Sequence, residues 1–342
     1  MATIYEKEQL TFGDVLLKPN YSDIKSRSEV NLSVKIKNFT FNNPLVPANM
    51  KSIMSIDMCR ELYKEKSLGL MHRFWDIKDQ LSLFSDLRLE FGTDVFNYIG
   101  CSVGVKDEDY KNLEDFVNLG VKIVCIDIAH GHSKECGKLC KYIKTNYPDV
   151  LLIAGNVATQ EGADYLWDSG ADVVKAGVGN GAICTTRLKA GAGVPQLSAI
   201  KEIYNHKNLM LRTDKYLISD GGIRQVGDLV KALAFSDMIM CGNLFAGLEE
   251  SPEETMEIDG VKYKKYAGSS THKTSHIEGV VSLVHIKGKY KDLLEEYLQG
   301  VRSGLSYAGA QDLNVFKRVA NFVKITNASI VESGVHDVKV IG

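Results

Sequence analysis

The chain has 342 residues, 44% of them hydrophobic and 25% charged, with a formal net charge of −2. That size and balance fit a soluble protein with a large core, and the near-neutral charge excludes a general attraction to nucleic acid or to an anionic membrane. No apolar run is long enough to span a bilayer, the start Met1-Ala2-Thr3-Ile4-Tyr5-Glu6 lacks the segments of a signal peptide, and seven scattered cysteines fit free thiols in a reducing compartment; a cytoplasmic location is expected.

In chain order, short runs rich in β-branched and apolar residues fall at 45–48, 69–74, 97–103, 122–128, 151–156, 172–176, 216–220 and 237–241. Amphipathic segments of helical length separate them, among them 108–119, 134–146, 160–169 and 225–235. Strand alternating with helix calls for parallel strands joined by crossovers. Eight such units suit a single-domain α/β fold, a (β/α)₈ TIM barrel over residues 1–342. A doubly wound sheet is rejected, because no G-x-G-x-x-G follows the first strand into a helix.

Barrel active sites gather at the carboxyl ends of the strands. Polar residues lie there: Asn49, His72 and Arg73, Asp127, Asn156, Lys175, Asp220-Gly221-Gly222 and Gly242-Asn243, from the first strand to the eighth with the third omitted. Two connections are long, a cysteine loop at 177–215 and a flap with its extension at 245–290, and long loops in a compact domain are usually functional or mobile.

The cysteine loop runs Gly177-Val178-Gly179-Asn180-Gly181-Ala182-Ile183-Cys184-Thr185-Thr186-Arg187. Glycines let backbone groups crowd around a ligand or ion, so Cys184 reads as a nucleophile; a tight turn ending in a packed cysteine is the alternative. The carbonyls of Gly177, Gly179 and Gly181 are hard oxygen donors that suit an alkali ion better than zinc. Asp220-Gly221-Gly222-Ile223-Arg224 and Cys241-Gly242-Asn243 read as a phosphate cradle of bare backbone amides, with Asp220 accepting from ribose hydroxyls; glycines that merely permit tight turns are the alternative. A nucleoside monophosphate is the natural ligand, with Cys184 across the rim to attack its base.

Other motifs carry less. Cys136 and Cys140 lack two further ligands at zinc spacing and read as core packing. His130-Gly131-His132 and the pair His272 and His276 lack an H-E-x-x-H arrangement and read as non-metal. Gly100-Cys101-Ser102-Val103-Gly104 matches a hydrolase elbow but has no oxyanion loop.

Residues 10–17, 25–28, 127–132, 154–157, 220–224 and 306–310, together with the cysteine loop, resemble the inosine monophosphate dehydrogenase and guanosine monophosphate reductase family of (β/α)₈ barrels over almost the whole chain. Its dehydrogenases carry a flap with a water-activating Arg-Tyr pair. Here 271–281 has neither residue but gives Ile277-Glu278-Gly279, similar to the reductases, and no pair of CBS modules is inserted. The resemblance therefore implies NADPH-dependent reductive deamination of GMP to IMP and ammonia, in purine interconversion and salvage. Cys184 would attack C2 of guanine to form a thioimidate, with Thr186 and Glu278 handling protons and Arg73 beside the reacting centre. The runner-up is an IMP dehydrogenase without CBS modules, and a non-catalytic purine-nucleotide-binding barrel comes third.

The same resemblance implies a substrate set of Asn49, Ser102, Asp220, Gly221, Gly222, Gly242, Asn243, Gly268, Ser269 and Ser270. It implies a cofactor set of Arg73, Asp127, Ile128, Ala129, Asn156, Ser303, Gly304, Leu305 and Ser306, with Ser26 and Arg27 reaching the NADPH adenosine end from a neighbouring subunit of a homotetramer. K⁺ would be held by Gly177, Gly179, Gly181 and Cys184. Asn180 and Ala182 depart from the family's usual Pro and Ser, Ser269 stands where many members have Met, and Ser275 and Ile277 stand where one branch has cofactor-contacting Arg and Ser.

Overall fold

Eight strands poor in polar residues set the architecture. They are β1 (Leu45–Pro47), β2 (Gly69–Met71), β3 (Ile99–Val103), β4 (Ile123–Asp127), β5 (Leu151–Val157), β6 (Val173–Ala176), β7 (Tyr216–Asp220) and β8 (Met238–Cys241). Five of them are buried at every position, as parallel strands covered on both faces must be. In the other three the half-buried positions are Asp127, Asn156 and, at the two ends of β7, Tyr216 and Asp220. Solvent thus reaches the strands chiefly where they end in polar side chains.

The computed structural model describes residues 3–268 and 280–334. Its strands form one parallel sheet in the order β1-β8-β7-β6-β5-β4-β3-β2, nearly closed into a barrel. At the seam between β1 and β2 the Asn42 amide donates to the Lys66 carbonyl at 3.0 Å, and buried Asn43 donates from its side chain to Ser67 at 2.7 Å. Helices α1 (Ile56–Lys64), α2 (Ile77–Phe91), α3 (Asp107–Leu119), α4 (Lys134–Asn146), α5 (Gln160–Asp168), α6 (Gln196–Leu209), α7 (Val226–Leu233) and α8 (Tyr290–Tyr307) alternate with the strands. No helix among the described residues is long and apolar enough to cross a membrane.

The expected loop at 177–215 is shorter than the sequence suggested. It contains a single turn at Thr186–Lys189 and all of α6, in which Leu197, Ile200 and Ile203 share the buried positions with polar Gln196, Ser198 and Lys207 while Leu209 is exposed, so the apolar stripe is weak. The expected flap likewise contains β9 (Thr255–Ile258), β10 (Val261–Ala267) and β11 (Val281–His285), a three-stranded antiparallel sheet.

The amino-terminal segment closes the opposite end. A hairpin of Val34–Ile36 and Phe39–Phe41 leads into β1, and Lys37 at its turn ion-pairs with buried Asp172, just before β6. Val15–Lys18 pairs antiparallel with Asn321–Lys324 and ties the two ends of the chain together.

Candidate active site

The carboxyl ends of the strands surround a cleft of about 280 Å³. Asn49, Arg73, Asp127, Asn156, Lys175 and Asp220 line it from the strand ends, Cys184 and Thr186 from the cysteine loop, and Tyr266 and Gly268 from the flap sheet.

Lys175 is the hub of its polar wall. The side chain points along buried β6, and its ammonium donates to Asp127 Oδ1 at 2.8 Å and to Asp220 Oδ2 at 2.7 Å. Burial opposes the charge, but the carboxylates of Asp127 and Asp220 outweigh it and hold the lysine above its ordinary range. Asn156 adds a 2.8 Å hydrogen bond to Asp220 Oδ2 and another of 2.8 Å to the Gly177 carbonyl. Its Oδ1 is buried with no partner. Arg73 lies on the same side, its Nε donating to the Asp127 carbonyl at 3.1 Å.

The cysteine loop leaves β6 through Gly177 at φ 153° and Gly179 at φ 79°, the second a left-handed conformation that glycine adopts without strain. Cys184 is half-buried, whereas the other six cysteines are buried. Its thiol donates to the Thr186 hydroxyl at 3.2 Å, and its amide donates to the Gly181 carbonyl at 3.1 Å. The Val280 amide, next to β11, donates to the Ile183 carbonyl at 3.1 Å and fastens the flap sheet to this loop.

The glycine turn after β7 departs from the expected bare cradle. Gly221 donates its amide to the Met240 carbonyl at 3.2 Å, and Gly222 donates to the Asn180 carbonyl at 3.1 Å, so both amides are engaged by backbone. After β8, Gly242 lies under the Tyr266 hydroxyl, where any side chain would collide with it. Lys287 donates to the Asn243 carbonyl and braces that second turn.

The model of the IMP dehydrogenase / GMP reductase domain matches residues 9–336. The chain belongs to this family. A GMP reductase of Lactobacillus johnsonii is 38% identical, over 98% of this chain and 99% of its own. One of Staphylococcus carnosus is 39% identical over 93% and 96%, and an inosine-5'-monophosphate dehydrogenase of Borreliella burgdorferi is 34% identical over 97% and 98%. A GMP reductase of Trypanosoma brucei, solved in complex with guanosine 5'-monophosphate, superposes with a TM-score of 0.88 at 26% identity, covering 97% of this chain and 98% of that one.

Several residues that the family resemblance assigned gather at the cleft: Asn49, Arg73, Asp127, Ile128, Ala129, Asn156, Gly177, Gly179, Gly181, Cys184, Thr186, Asp220, Gly221 and Gly268. Ser102 sits behind it, buried and accepting from Asn49 at 2.9 Å, so it orients Asn49. Ser26 and Arg27 are exposed at a turn packed against α8. On that helix Gly304 is pressed against Val230 of α7, Leu305 is buried, and Ser303 and Ser306 are half-buried. Ser269, Ser270, Ser275, Ile277 and Glu278 lie outside the described residues.

Among the described residues no cluster of three His, Cys, Asp or Glu is placed to hold a metal. Cys136 and Cys140 are buried in α4. Lys175 and Tyr266 belong to the site but to none of the sets assigned from sequence. A lysine inside an apolar strand next to the glycine loop was the signal for the first; the second had none, because the apolar alternation of Val261 and Tyr263 is out of phase with Tyr266.

Proposed function

We propose that this chain catalyses NADPH-dependent reductive deamination of GMP to IMP and ammonia. The observation that carries the reading is the Cys184–Thr186 contact in a cleft shared with the Lys175-held carboxylate of Asp220. The direction of reaction rests on the segment 271–281, which has neither Arg nor Tyr to activate water. Relatives named GMP reductase at 38% and 39% identity support it.

In this reading Asp220 accepts from the ribose hydroxyls, oriented by Lys175 and Asn156. Cys184 Sγ adds to C2 of guanine, the exocyclic amine takes a proton and leaves as ammonia, and a thioimidate remains. Thr186, already hydrogen-bonded to the sulfur, and Glu278 carry the protons of that departure. NADPH, when bound, would supply the hydride that C2 requires, and Cys184 Sγ leaves with the C–S bonding pair as IMP is released. Arg73, Asp127, Ile128, Ala129 and Asn156 would hold it, and the unpartnered Asn156 Oδ1 suits a carboxamide donor. Water has to be kept from the thioimidate, because hydrolysis would release XMP instead.

Ser26 and Arg27, exposed and set against α8, suit contact with the adenosine end of a cofactor bound by a neighbouring subunit of a homotetramer. For K⁺, the carbonyls of Gly177, Gly179 and Gly181 supply hard oxygen donors, the chemistry that suits a monovalent cation. The test is stoichiometry. Each NADPH consumed with GMP should release one ammonia and one IMP, and the Cys184→Ala variant should release none; production of XMP instead would reject the reading.

A further inference from the structure

The Gly222 amide is a donor in the turn expected to seat the nucleotide phosphate, yet it points at protein. Its acceptor is the backbone carbonyl of Asn180, four residues before Cys184 on the cysteine loop. The Asn180 side chain secures that arrangement from the other side. Its amide donates to Gln196 Oε1 and, at 3.1 Å, to the Asp220 carbonyl. Gln196 is itself fixed, with its Nε2 donating to the Ala176 carbonyl at 2.8 Å and to Ser219 Oγ at 3.0 Å. Gly221 and Gly222 leave no slack beneath this clasp: a Cβ on Gly221 would lie 2.9 Å from Asn180 Oδ1, and one on Gly222 would lie 3.0 Å from Gln196 Cβ.

One N–H makes one good hydrogen bond. The Gly222 amide can therefore serve Asn180 or a phosphate oxygen, but not both. We propose that the Asn180 carbonyl occupies the phosphate's place on Gly222, so that an arriving phosphate displaces it and releases the loop that carries Cys184. Asn180 is then a positioning residue that makes the placement of Cys184 depend on occupancy of the nucleotide site. This rests on the reading of the Gly221-Gly222 turn as a phosphate seat. The side-chain clasp holds the latched state; weakening it favours the released one, and a ligand that binds the released state binds tighter as a result.

The latch is tested by alkylation of Cys184 with iodoacetamide, which is selective because the other cysteines are buried. Inorganic phosphate serves as the probe, since it fills the seat without covering the thiol. In the unmodified chain, saturating phosphate should speed alkylation about fivefold, the worth of one net hydrogen bond. Asn180→Ala should react at the faster rate without phosphate and gain nothing from it. Asn180→Asp should behave the same way although it is nearly isosteric, because it sets a carboxylate against the Gln196 and Asp220 oxygens; circular dichroism checks that both variants fold. With GMP, Asn180→Ala should show a lower KM and a lower kcat together, a split that simple loss of stability does not produce.

Phosphate-independent alkylation of the unmodified chain, or variants that respond as it does, would overturn the latch. The two readings fail separately. Turnover of GMP without a phosphate effect removes the latch alone, and a phosphate effect without GMP turnover removes the reductase reading alone.

Discussion

Cys184 Sγ lies 3.2 Å from the Thr186 hydroxyl, two residues further along a loop that turns back on itself through the bond from the Cys184 amide to the Gly181 carbonyl. The proposed nucleophile and its proposed proton carrier thus belong to one short turn. Cys184→Ser should abolish turnover while GMP still binds. Thr186→Val should cut kcat by about 10²–10⁴, the usual weight of a general acid or base, with KM nearly unchanged. Steady-state kinetics and calorimetric GMP binding check both variants.

Lys175 should matter to stability as well as to binding. Lys175→Met leaves Asp127 and Asp220 together at the cleft wall without their cation, and breaking such a pair costs about 3–5 kcal/mol. One carboxyl of the variant acquires a raised pKa, so its contribution is present at low pH and lost as pH rises. The deficit against the unmodified chain should therefore grow from pH 5 to pH 8 in urea unfolding. A constant deficit would show that the carboxylates are not coupled through Lys175.

His72 supplies a second pH signature. Its Nδ1 accepts from the Phe74 amide at 3.1 Å, its Nε2 is buried without a partner, and burial, then the charge of Lys51, lowers its pKa from 6.5 to about 4. The unfolded chain takes up this proton first as pH falls. Stability is therefore fully present above pH 6.5 and lost as pH drops towards 4, by about 2–3 kcal/mol. Urea unfolding at pH 7 and pH 4.5 should show this loss, and His72→Gln should lack it.

The contact of Gly242 with the Tyr266 hydroxyl predicts a compensating pair. Gly242→Ala displaces the tyrosine and should raise KM for GMP at least about tenfold, a shift of 1.4 kcal/mol. Adding Tyr266→Phe removes the colliding oxygen and should recover part of that loss. Additive effects in the double-variant cycle would rule out a direct contact.

The barrel itself was legible because its strands are apolar at nearly every position, so each strand stood out between turn residues. Asp127, Asn156 and Asp220 could be placed at the rim for the same reason: each is a polar residue at or near the end of an apolar run. Helix α6 was hidden because polar Gln196, Ser198 and Lys207 are buried beside Leu197, Ile200 and Ile203 while Leu209 is exposed. The engaged amides of Gly221 and Gly222 could not be read either, since their partners Met240 and Asn180 are distant in sequence and the contacts are backbone to backbone. The packing of Gly304 against Val230 of α7 could not be read either, because a helical segment does not say which of its faces meets a neighbour.

The account depends most on the direction of the chemistry at Cys184. The direct measurement is the absorbance of the nicotinamide cofactor in two parallel reactions, NADPH with GMP and NAD⁺ with IMP. Oxidation of NADPH that requires GMP, with no reduction of NAD⁺ by IMP, is the predicted result. Reduction of NAD⁺ with IMP, and none of the GMP-dependent oxidation, would contradict it.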